Sequence, residues 1–159
     1  MFHSVLPVLV ILTTALTAVL ALWKGDAAAR IAGTINFINA VALPSFRMLL
    51  MQPQSGEILQ LAGDLFWAIG LLMLVVRYAS PWLGVTMLLQ AVQFSLHAYY
   101  MVMERQHDLL HAWVNNLDEV GISVCITVGV VLAIHRRSTL AREAAELEAR
   151  RNQRASSAS

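Results

Sequence analysis

Five stretches of this chain approach the roughly 20 apolar residues that a helix needs to cross a lipid core of about 30 Å: residues 5–23, 31–51, 58–76, 82–103 and 118–135. Nothing else in the sequence constrains the fold as tightly. In hydrocarbon a backbone must satisfy its own hydrogen bonds, and for segments of this length that means helices. The chain is 58% hydrophobic and 13% charged, about half the charge of a typical soluble domain. A disordered chain and a basic nucleic-acid binder are both excluded, since 11 Lys and Arg against 10 Asp and Glu leave a net charge of only +1. A single cysteine, Cys125, cannot form an internal disulfide. The sequence therefore predicts an all-α integral membrane bundle of five transmembrane helices over residues 1–137, with a charged cytoplasmic tail at 138–159 that is helical and then, from Arg154, disordered.

The second stretch contains Asn36, Asn39, Pro44 and Arg47, and the distribution of cations decides whether it crosses. Five spans put Lys24, Arg30, Arg77, Arg136, Arg137, Arg142, Arg150, Arg151 and Arg154 on the cytoplasmic side and leave Arg47 and Arg105 outside. Four spans would move Lys24 and Arg30 across and weaken the asymmetry that sets topology. The expectation is a multi-pass protein of the bacterial inner membrane with a periplasmic N-terminus and a cytoplasmic C-terminus. Met1-Phe2-His3-Ser4 lacks the positive start of a secretory signal, so the first stretch reads as a permanent anchor. Trp23, Tyr78, Trp82, Tyr99, Tyr100 and Trp113 fall near predicted span ends, as interfacial aromatics do; Trp67 lies well inside the third.

Polar side chains within the spans are costly in lipid and turn toward other helices. Asn36, Asn39 and Arg47 share one face of the second span at 100° per residue. Gln60, Asp64 and Trp67 share one in the third, and Gln90, Gln93, His97 and Glu104 one in the fourth. At 1.5 Å per residue Asp64 and His97 lie at about the same depth, roughly 10 Å below the outer surface. A ligand or ion pathway is thus expected at Arg47, Asp64, Gln90, Gln93 and His97, with Asp118 and Glu119 at its mouth. Asp64 can be relieved by its neutral form, by Arg47 or by His97, and the sequence leaves all three open.

His107 and His111, at i and i+4 in the loop before the fifth span, would put two imidazoles on one helical face, a metal-binding spacing. No glutamate follows His107, so the metalloprotease pattern is not met. Haem ligation by His97 needs a second buried histidine, and none is expected inside another span. Ser95, Ser123 and Cys125 have no neighbouring His and acid in a nucleophile motif, and phosphate-binding and dinucleotide loops are missing, so neither a catalytic residue nor a cofactor is predicted.

The sequence from Trp23-Lys24-Gly25-Asp26 through Asp64-Leu65-Phe66-Trp67, Val76-Arg77-Tyr78-Ala79-Ser80-Pro81-Trp82, Leu89-Gln90 and His97 resembles a group of small multispanning inner-membrane proteins of alphaproteobacteria that has no assigned activity. There too an acid in one span is followed by an Arg-aromatic-Pro-Trp-like turn and then by Gln and His on the next span. The resemblance implies an inner-membrane location and draws attention to Asp64, Gln90 and His97. Residues 113–119 depart from the aromatic, Pro-rich pattern of that group. Three functions are consistent with the sequence: a non-enzymatic accessory or scaffold protein, which is the expectation; a small transporter or proton-linked permease component using Asp64 and His97; and a metal- or haem-binding redox protein. The partners expected are the lipid bilayer and either a second copy of the chain or a membrane complex, with no nucleic acid.

Overall fold

A computed structural model of the chain describes the backbone of residues 2–42, 45, 53–103 and 108–157, and the side-chain surroundings of 8–42, 45, 58–103 and 108–154. Every described element is helical: α1 (Phe2–Lys24), α2 (Ala27–Phe37) continued by a π-helical turn (Ile38–Ala42), α3 (Pro53–Tyr78), α4 (Pro81–Val102) and α5 (Leu109–Ser157). The two shortest connections are legible locally. Between α1 and α2 the Asp26 carboxylate accepts a hydrogen bond from Ala29 N at 2.9 Å and caps α2, an interaction worth about 1 kcal/mol. Between α3 and α4, Ala79 adopts the left-handed conformation (φ 47°) that ends a helix, and Pro81 opens the next one where its missing N–H costs nothing.

The helices alternate in direction, and α5 packs against α1, α2 and α4, while α3 closes against α4. Arg137 on α5 donates to the carbonyls of Lys24 (3.2 Å) and Gly25 (3.0 Å), so the last turn of α1 and the 137 region of α5 lie at the same end of the bundle. Small residues set the closest approach: a Cβ on Gly33 of α2 would meet the Cβ of Ala21 at 2.7 Å, and one on Gly129 of α5 would meet the Trp82 indole at 2.6–2.8 Å. That is the packing used where apolar burial alone does not drive helices together.

The core has two halves. Toward the end that carries Lys24 and Arg137 it is dry, built from Ala21, Ala28, Ala29, Ala32, Trp67, Leu71, Leu74, Trp82, Leu83, Ile122, Ile126 and Val130. Toward the other end it is polar, with Asn36, Asp64, Gln90, Gln93, His97, His111, Asp118 and Glu119 all buried. The outer surface runs the opposite way: Leu12, Leu16 and Val19 of α1, Phe66, Met73 and Val76 of α3, Leu88 and Val92 of α4, and Val124, Val128 and Val131 of α5 are all exposed. Two helical stretches are long and apolar enough to cross a membrane among the described residues, Ile58–Tyr78 and one within Leu109–Arg154; Val8–Lys24 is apolar but shorter.

The structure differs from the sequence expectation at several points. The helix that carries the predicted fifth span starts at Leu109, ahead of that span's expected edge at 118, and the bundle buries Asp118 and Glu119. Trp82 and Tyr100 are buried against other helices: Trp82 fills the notch over Gly129. The tail is helical as far as Ser157, past the point where disorder was expected. The second stretch is described only to Ala42 and again at Ser45; Pro44 and Arg47 lie outside the described residues, as do Glu104 and His107.

Candidate functional site

Asp64 and His97 form the centre of the polar half. His97 Nδ1 and Asp64 Oδ2 are hydrogen-bonded at 2.5 Å, and Asn39, from the π-helical turn, donates its Nδ2 to Asp64 Oδ1 at 3.0 Å. An ionised Asp64 accepts on both oxygens and so calls for the imidazole proton on Nδ1. The other ring nitrogen, Nε2, faces the Gln60 amide nitrogen at 3.4 Å. Three helices thus fix one imidazole: α3 through Gln60 and Asp64, the turn after α2 through Asn39, and α4 through His97 itself. A carboxylate that orients the ring and selects its tautomer is a recurring arrangement where histidine handles protons.

From this pair a file of polar groups runs toward the end of the bundle remote from Arg137. The His111 ring lies 5.3 Å from the His97 ring and 4.7 Å from that of Tyr100, whose hydroxyl donates to the exposed Asp108 at 2.7 Å. Asp108 also accepts from His111 N (2.9 Å), fixing the first turn of α5. Gln93 joins α4 to α5 by donating to Asn115 Oδ1 at 3.0 Å. In the other direction Asp118 lies within electrostatic reach of His97 and Asp64, and Glu119 within reach of Asp118 and Asp64. Glu119 Oε1 accepts from Asn36 Nδ2 (2.8 Å) and Thr14 Oγ1 (3.1 Å), and Thr14 lies 3.4 Å from the Ser123 hydroxyl. There the file stops at the dry half of the core.

Asp64, Asp118 and Glu119 are three buried carboxyl groups, and among the described residues no Lys or Arg pairs with any of them. Of the partners the sequence left open for Asp64, His97 is in contact with it, and Arg47 lies outside the described residues. Gln90 lies one turn from Gln93 on the same face, fully buried, with neither end of its amide hydrogen-bonded; Asn36 Oδ1, Gln93 Oε1, Asp118 Oδ2 and Trp67 Nε1 also lack partners. Buried polar groups are rarely left so, and those on Asn36, Gln90, Gln93 and Asp118 share the polar half of the bundle.

Of the expected pair His107 and His111, His111 lies beside His97 and Tyr100, and His107 is outside the described residues. His111 is also the second buried histidine that the sequence was not expected to supply. Among the described residues no three His, Cys, Asp or Glu side chains converge as metal ligands do. Sequence reasoning missed Thr14, and it set Asp118 and Glu119 at the mouth of the pathway and His111 in a loop, where the structure buries all three. The signal was present, since His111, Asn115, Asp118 and Glu119 at i, i+4, i+7 and i+8 make one helical stripe once α5 is started early enough. Comparison of the chain with protein-family models, curated proteins and solved structures finds no match in any of the three.

Proposed function

We propose that this chain is a five-span protein of the bacterial inner membrane, N-terminus periplasmic and C-terminus cytoplasmic, whose Asp64–His97 pair is the proton-binding site of a small proton-linked transport component. The single observation behind the membrane reading is the inverted distribution of polarity: acids, amides and imidazoles buried, large aliphatics exposed on every helix. A soluble domain arranged in this way would expose far more contiguous apolar surface than water tolerates. The orientation is supported by Lys24, Arg30, Arg77, Arg136 and Arg137 gathering at one end, with Trp23 and Tyr78 beside Lys24 and Arg77.

The function follows from the two-part core. The polar file leads from Asp108 to Asp64–His97 and on to Glu119, while Trp67, Leu71, Trp82 and Ile126 close the cytoplasmic half. The site therefore exchanges with the periplasm and is sealed from the cytoplasm in this conformation, which suits one state of an alternating process better than an open channel. In vesicles with the protein inserted in one orientation, acidifying the periplasmic-facing side alone should protonate His97, followed by its ¹⁵N chemical shift. A His97 signal that responds only to the opposite side, or to neither, contradicts the proposal.

An accessory or scaffold role has one observation in its favour. Beyond Arg137, α5 continues as a helix to Ser157 with every described side chain exposed, a stalk suited to holding a partner. That reading expects Asp64→Asn and His97→Gln proteins to support normal growth; loss of growth with normal protein levels favours the proton-linked reading.

A further inference from the structure

The Glu119 region, where α1, α2 and α5 meet, has a donor set different from that of the histidine pair. Glu119 is flanked by Asn36, Thr14 and Ser123, none more than 2% exposed, with Glu119 itself at 4%. All are oxygen-bearing and none is cationic. The amide of Asn36 is oriented by its bond to Glu119, which uses Nδ2 and leaves Oδ1, an acceptor with no donor, at the same place. Asp118, next along the helix, has a second acceptor without a partner in Oδ2. A buried surplus of acceptors around a carboxylate is met by something that carries positive charge and donates no lone pair.

We infer that Glu119, Asn36, Thr14 and Ser123 form a second site in the polar core that binds a small monovalent cation, with Na⁺ as its fitting occupant. A carboxylate, an amide oxygen and two hydroxyls are the hard oxygen ligands that alkali and alkaline-earth ions take. Glu119 is the carboxylate hydrogen-bonded to Asn36 and Thr14, so one positive charge balances the group in direct contact. The inference extends the proton-linked reading by naming the ion that shares the core, and it stands on different residues, so the two are separable.

The test is thermal unfolding of the purified full chain in nanodiscs at pH 8, followed by tryptophan fluorescence in NaCl and in choline chloride of equal ionic strength. NaCl is expected to raise the midpoint by several degrees, with a saturable dependence on concentration. Glu119→Gln should abolish the increment and Asp64→Asn should keep it. Thr14→Val, which keeps the shape and removes one oxygen, should raise the half-saturating Na⁺ concentration about tenfold, the loss of roughly one ligand; it serves as the readout if Glu119→Gln does not fold. Equal midpoints in the two salts overturn the inference, as does an Na⁺ increment unchanged in both Glu119→Gln and Thr14→Val. A lost Na⁺ response together with normal His97 protonation removes this site and leaves the histidine reading intact.

Discussion

Replacing Gly129 by alanine puts the helix packing under direct test, because the same substitution at Gly84 supplies a control on the neighbouring helix. A Cβ at Gly129 would fall 2.6 Å from Trp82 Cε2 and 2.8 Å from Cδ2 and Cζ2, whereas one at Gly84 meets nothing within 4 Å. Ordinary contact begins near 3.4 Å, so α4 and α5 must separate by about 0.8 Å or the indole must leave a pocket in which it is 7% exposed. Overpacking of this kind costs up to about 3 kcal/mol, and alanine returns about 1 kcal/mol in helix propensity. Gly129→Ala should therefore destabilise by about 2 kcal/mol, a midpoint lower by roughly 4–8 °C, while Gly84→Ala is neutral or raises the midpoint by roughly 2–4 °C. Thermal unfolding in detergent reads both. In a Trp82→Leu background the penalty at Gly129 should shrink. The packing argument is refuted if Gly129→Ala and Gly84→Ala shift the midpoint alike, or if the penalty is the same without the indole.

Other outcomes follow from the same structure. Ala79→Gly relieves a left-handed residue between α3 and α4 and should stabilise by about 0.5–1 kcal/mol after the entropy of glycine is subtracted; a lower midpoint contradicts the assigned turn. Asp64→Asn and His97→Gln should couple in a double-mutant cycle by about 1–3 kcal/mol, because each leaves the other's buried group without its partner; additivity would mean the two do not touch. Removing the chain after Thr139 should leave the bundle's midpoint within about 0.5 kcal/mol of the full chain, since the side chains beyond are exposed; a larger fall would show that the stalk folds back onto the bundle.

Much of the helical layout was legible because lipid-length apolar stretches and the Tyr78-Ala79-Ser80-Pro81 break are local signals. So were the inward-facing groups Asn36, Asp64, Gln90, Gln93 and His97, whose helical spacing alone sets them on single faces. The start of α5 was not legible, because Asp118 and Glu119 look like the edge of a span until partners on α1 and α2 are known. Asn36 and Thr14, 83 and 105 residues away in sequence, supply the hydrogen bonds that let Glu119 sit inside. The burial of His111 went unread for the same reason. The burial of Trp82 was not legible for a similar reason: the notch at Gly129 that accepts its ring lies on another helix.

The account turns on the two ends of α5 facing opposite sides of one membrane, with its polar beginning outside. Single cysteines at Leu110 and Ala141, in a Cys125→Ala background, can be treated in intact cells with a maleimide that does not cross the inner membrane. Labelling of Leu110→Cys from outside, with Ala141→Cys modified only after the membrane is opened, is the result expected. Modification of both from the same side, or of Ala141→Cys alone in intact cells, would contradict the account.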